Sequence, residues 1–130
     1  MKYNLVFILF LFAFTSLNLN AQTNSLSGTY TIVKLQFFDE YGNIEDEFDE
    51  IDLLCNEYFI FNENGTVVNE TYSGVLCKEK KELQGDYSIL ANQLTLKLEY
   101  TVHTYLITVN SSTDLVLESN DKSEIIYLKK

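Results

Sequence analysis

The amino-acid sequence predicts an all-β domain, an eight-stranded antiparallel up-and-down barrel, and three observations carry that expectation. After residue 56 the chain is a series of short segments rich in Val, Ile, Leu, Thr, Tyr and Phe, separated by turn residues and with no helix-period stretch of convincing length. The separators are short, which favours antiparallel neighbours in meander order. A meander of this kind leaves two unpaired edges, and pairing the last strand with the first removes both.

The expected strands cover residues 28–38, 57–62, 66–72, 81–90, 93–100, 105–109, 114–118 and 124–129. The clearest is Leu94-Thr95-Leu96-Lys97-Leu98-Glu99-Tyr100, whose strict alternation gives one wet face and one dry face. A four-residue turn at 101–104 would set Tyr100 opposite Tyr105, Leu98 opposite Ile107 and Leu96 opposite Val109. A similar turn at 120–123 would pair Leu117 with Ile126 and Leu115 with Leu128. Asn64-Gly65 is a two-residue hairpin signal of the type that needs φ > 0 at both positions. Its dry face is ambiguous, because Phe61 would then face Val68 but Phe59 would face Glu70.

Residues 39–56 read differently. Asp39, Glu40, Glu45, Asp46, Glu47, Asp49, Glu50 and Asp52 are interleaved with Ile44, Phe48, Ile51 and Leu54, whose spacing fits one apolar stripe of a helix. The expectation is a loop followed by a short amphipathic helix between the first two strands, with the acids on its solvated face.

Residues 1–21 have the layout of a secretory signal: Lys2 at the start, an unbroken apolar run from Leu5 to Phe14, and Ala21 before Gln22. The run is shorter than the roughly 20 residues of a spanning helix. A lipid anchor needs a cysteine just after the run, and the nearest is Cys55. The domain is therefore expected to be residues 22–130, secreted or periplasmic, without stable membrane insertion. Loss of Lys2 takes the formal charge from −10 to −11. An acidic chain without a single arginine lacks the basic footprint that nucleic acid requires, and it lacks the bidentate clamp for phosphate or carboxylate. Two cysteines in an exported chain favour a bond, and Cys55 and Cys77 flank the hairpin around Asn64-Gly65.

No catalytic constellation stands out. His103 is the only histidine and falls in the expected 101–104 turn, where a bystander role is the default. Nucleophile-elbow, phosphate-loop and zinc-protease motifs are missing. The acids of 39–52 could attract calcium, but Asp39-Glu40-Tyr41-Gly42-Asn43 does not have the EF-hand spacing. We expect no enzyme activity, no cofactor and no metal.

The chain does resemble a known family. Leu26-Ser27-Gly28-Thr29-Tyr30-Thr31-Ile32 is close to the Gly-x-Trp opening of the first lipocalin strand, with Tyr for Trp. Gly85-Asp86-Tyr87-Ser88-Ile89 partly echoes it, and Tyr58-x-x-Phe61-x-x-x-Gly65-Thr66, the flanking cysteines and the closing Tyr127-Leu128-Lys129 follow in order. This resembles the lipocalin-like domains of secreted Bacteroidota proteins over nearly all of residues 22–130. The resemblance implies a barrel floor at Gly28 and Tyr30, and a binding module for a small apolar or amphipathic ligand. The lining expected from the clearest strands is Leu96, Leu98, Tyr100, Tyr105, Ile107, Leu115 and Leu117. The alternative is an envelope protein-interaction or inhibitor domain whose acidic 39–52 segment meets a basic partner.

Overall fold

The computed structural model describes residues 26–50 and 52–130. The expected signal segment, 1–21, lies outside the described residues. Nine strands form one antiparallel sheet: β1 (Gly28–Phe38), β2 (Ile44–Asp49), β3 (Glu57–Phe61), β4 (Thr66–Ser73), β5 (Glu79–Leu90), β6 (Gln93–Leu98), β7 (Thr101–Asn110), β8 (Asp114–Ser119) and β9 (Glu124–Lys129). β9 pairs back onto β1, with Ile32 opposite Leu128 and Leu35 opposite Ile126, so β1 and β3–β9 close an eight-stranded barrel. No helix among the described residues is long and apolar enough to cross a membrane.

The expected amphipathic helix is corrected to a strand. β3 covers only Gly28–Thr31 of β1, which leaves the backbone groups of Lys34–Phe38 needing partners on that side. The 44–49 segment supplies them as β2, with Leu35 opposite Phe48 and Gln36 opposite Glu47. Ile44 and Phe48 fit a period of two as well as a helical stripe, and the open edge of β1 decides between the two. The one helical element described is a 3-10 turn, Val75–Cys77. On the outer wall Lys34 pairs with Glu47 at 3.1 Å, and the Tyr127 hydroxyl donates to Gln36 at 2.8 Å.

The hairpin registers follow from turn chemistry. At β3–β4 only Gly65 has positive φ (86°), and the Gly65 N–H bonds the Asn62 carbonyl at 3.0 Å. This is a three-residue loop with a glycine bulge rather than the two-residue turn expected. It moves the register by one residue and resolves the ambiguity: Phe61 faces Val67 and Phe59 faces Asn69. The β8–β9 expectation holds, with Leu117 opposite Ile126 and Leu115 opposite Leu128.

The core sits inside the barrel at the end where β1 begins. Tyr30 packs edge-on against Phe61 (5.8 Å), which packs edge-on against Tyr87 (5.1 Å). The Tyr87 hydroxyl shares its proton between the Leu26 carbonyl (2.6 Å) and the Asn62 carbonyl (2.8 Å), tying the entry of the chain to the β3–β4 loop. Gly85, two residues before Tyr87, stands where β6 leaves no room for a side chain. A Cβ there would lie 1.7 Å from the Lys97 carbonyl oxygen.

Cys55 and Cys77 are bonded, joining the segment before β3 to the turn after β4. With a sequence separation of 22, the chain-entropy account gives roughly 3 kcal/mol of stabilisation. Urea melts with and without reductant should differ by about that amount. Coincident curves would show that the bond constrains nothing in the unfolded chain.

Candidate functional site

The structure separates the expected lining residues into three groups. Leu96, Leu98, Leu115 and Leu117 point into the barrel but are closed into the core, none more than 6% exposed. Tyr105 and Ile107 are half-buried and pack against that core. Tyr100 does not belong to the interior, being fully exposed. The cause is the β6–β7 turn, which is Glu99-Tyr100 rather than 101–104. Leu98 pairs with Thr101, and Glu99 adopts φ 50° to turn the chain. Leu96 therefore faces His103 and Leu94 faces Tyr105. At the other end Tyr30 is buried, 3% exposed, and Gly28 starts β1 opposite Phe61.

The same registers bring together a group that the sequence reading passed over. Along β3 the inward positions are Glu57, Phe59 and Phe61; along β7, His103, Tyr105 and Ile107; along β9, Glu124, Ile126 and Leu128. These three strands run in the same direction, so each inward row opens polar at one end of the barrel and turns apolar toward the other. A signal was present. Glu57 and Glu124 stand in phase with apolar faces, where a charged residue is out of place unless the site uses it. β1 and β2 close the remaining side with Leu35, Phe37 and Phe48, the two phenylalanines packing edge-on at 6.2 Å. Phe37 lies directly across from Glu124.

The electrostatics of this end follow from its partial burial. Asn69, itself buried, donates to Glu57 Oε1 at 2.9 Å and to the Tyr58 carbonyl at 3.3 Å, which fixes one carboxylate in place. Burial, then the nearby charges of Glu124 and Glu57, push the Tyr105 hydroxyl up to about 12, so it stays a neutral phenol at any physiological pH. Burial also raises the Glu124 carboxyl, with Asp121 and Glu57 acting in the same sense and His103 opposing them. His103, exposed, stacks at 6.3 Å on Tyr105. Two carboxylates and a phenol thus share the mouth of the barrel. A neutral or protonated donor could be held there by hydrogen bonds.

Within the acidic 39–52 segment, Asp39 and Asn43 sit at the β1–β2 turn, and β2 carries Glu45, Asp46, Glu47 and Asp49. Asp39 accepts from the Asn43 side-chain amide (3.0 Å), the Asn43 backbone (2.8 Å) and the Tyr41 backbone (2.9 Å), and these bonds hold its carboxyl below the usual range while closing the β1–β2 turn. Among the described residues no group of three or more His, Cys, Asp or Glu is arranged to hold a metal ion.

A closed meander barrel with an aromatic plug at one end and a polar mouth at the other is a lipocalin-like fold. The chain matches the lipocalin-like domain family over residues 26–117 and belongs to that family. Two solved structures share the fold. One is a lipocalin-like protein from Bacteroides uniformis ATCC 8492, with TM-score 0.60 and 15% identity, covering 81% of this chain and 97% of that one. The other is an uncharacterized protein from Bacteroides eggerthii DSM 20697, with TM-score 0.59 and 11% identity, covering 80% and 98% respectively. No curated protein matches the chain.

Proposed function

We propose that the protein is an exported, non-enzymatic binding module that takes a small amphipathic ligand into the mouth of its barrel. The observation that carries this reading is the gradient along the inward rows. Glu57, His103 and Glu124 give way within one or two positions to Phe59, Tyr105 and Ile126. A ligand with a polar head and an apolar body matches that gradient, whereas a wholly apolar one would leave the carboxylates desolvated. The floor is already packed by Leu94, Leu115 and Leu128, so the site is shallow and its apolar wall is Leu35, Phe37 and Phe48. Export is supported by the disulfide, which suits an oxidising compartment.

Titration with an uncharged fluorescent amphiphile, followed by amide and side-chain NMR shifts, tests the site. The expected result is saturable one-to-one uptake with shifts centred on Leu35, Phe37 and Tyr105. Shifts confined to the outer groove of about 510 Å³ beside Lys34, Val116 and Tyr127 would place binding outside the barrel and overturn the reading. The rival reading, docking to a basic protein, draws on β2, all six of whose side chains are exposed. It requires capture that weakens steeply with salt.

A further inference from the structure

Two features of the barrel mouth narrow the ligand class, given the binding reading above. The first is the missing counter-charge. Glu57 and Glu124 face the interior from β3 and β9, yet the three ion pairs of the described residues are all elsewhere. They are Lys34–Glu47 and Lys80 with Glu70 and Glu82, on positions that alternate with the inward rows. Glu57 has the buried Asn69 amide. The carboxylate of Glu124 and the hydroxyl of Tyr105 form no hydrogen bond or ion pair among the described residues. The second feature is the wall opposite. Phe37 lies across β1–β9 from Glu124 and stacks edge-on with Phe48, which is 39% exposed. The mouth thus sets half-buried carboxylates beside an aromatic wall, a combination that suits a cationic head on an apolar body.

We propose that the mouth of this barrel selects amphipathic ligands with a protonated amine head, held between Glu57 and Glu124 with the Tyr105 hydroxyl as acceptor, the apolar body lying on Leu35, Phe37 and Phe48. An ammonium brings three donors and the charge that the site lacks. A carboxylate ligand would meet two like charges and no arginine. An alcohol would satisfy one acceptor and leave the charge unbalanced. The site therefore ranks amine over alcohol over acid. Its cost falls on the empty protein, since burial, and then Asp121 and Glu57, penalise the charged form of Glu124, with only His103 opposing. The folded state binds the Glu124 proton more tightly than the unfolded chain does. The charged form thus destabilises the fold above Glu124's own titration, and the penalty disappears as pH falls through it.

The test uses a matched eight-carbon series, octylamine, octanol and octanoate, titrated by calorimetry into the wild-type protein, Glu124→Gln and Glu57→Gln. Octylamine should bind wild type at least about tenfold more tightly than octanol, with octanoate weakest. Either substitution should cut the amine-to-alcohol ratio toward one, chiefly by weakening octylamine. Glu124→Gln should also raise the urea midpoint at pH 7, a gain that shrinks in acid, so this variant becomes more stable and less selective together. A structural defect would lower both. Equal binding of all three compounds, or octanoate as the tightest, overturns the amine selectivity but leaves the barrel as a binding site. Failure of all three together with the neutral fluorescent amphiphile overturns the binding reading itself. Octylamine selectivity that survives both substitutions shows that other residues make it, and the assignment to Glu57 and Glu124 falls.

Discussion

Gly85→Ala is expected to be among the most damaging single substitutions in the molecule. The added methyl carbon would sit 1.7 Å from the Lys97 carbonyl oxygen, 2.8 Å from its carbonyl carbon and 3.1 Å from the Leu98 Cα. All three are backbone atoms, so no side-chain rotation relieves the clash. β6 would have to move away at the Gly85–Leu98 pair and strain the neighbouring Tyr87–Leu96 pair, both of which line the core. Overpacking commonly costs about 1–3 kcal/mol. Here it also opens a ladder between two central strands, and a loss of at least about 3 kcal/mol is expected. That is a large part of the roughly 5–15 kcal/mol that holds a domain folded. Urea denaturation beside the exposed neighbour Asp86→Ala provides the comparison. A Gly85→Ala midpoint equal to that of Asp86→Ala would mean that the strands are not this close.

Tyr30→Ala should come next. Tyr30 is 3% exposed and its ring meets Phe61 edge-on, at the start of an aromatic chain that continues to Tyr87. Truncation removes a large apolar volume from a site that cannot collapse, because its neighbours are fixed by β1–β3 pairing and by the Tyr87 hydroxyl bonds to Leu26 and Asn62. The expected cost is about 3–5 kcal/mol. Tyr30→Phe tests whether the ring or the hydroxyl matters. The hydroxyl makes no hydrogen bond among the described residues, so that variant should stay within about 1 kcal/mol of wild type. A Tyr30→Ala protein that melts with wild type would show that Tyr30 does not plug the barrel.

Much of the barrel was legible in the chain because strand identity depends on local pattern. Leu94-x-Leu96-x-Leu98 and Leu115-x-Leu117 opposite Ile126-x-Leu128 specify their faces without help from the rest of the fold. The Cys55–Cys77 bond followed from the position of two cysteines around one hairpin. The candidate site was less legible. Of the residues read as its lining, four belong to the packed core and Tyr100 lies in solvent, while Glu57, Asn69 and Glu124 were not among them. Their phase with Phe59, Phe61, Ile126 and Leu128 was available to reading, but which end of each strand shares a rim is not a local property.

What the sequence determined by itself is therefore the eight strands of the barrel, their alternating faces and the meander order, since each is encoded by neighbours a few residues apart. The tertiary structure decided three other things. It made residues 44–49 a strand, because only the uncovered edge of β1 could favour pairing over a helix with the same apolar spacing. It shifted the β3–β4 and β6–β7 registers, because the Gly65 bulge adds a residue to the first loop and Glu99 closes a tighter turn in the second. And it gathered Glu57, Tyr105, His103 and Glu124 at one mouth, because closure of β9 onto β1 brings together strands far apart in the chain, and no local pattern records that closure.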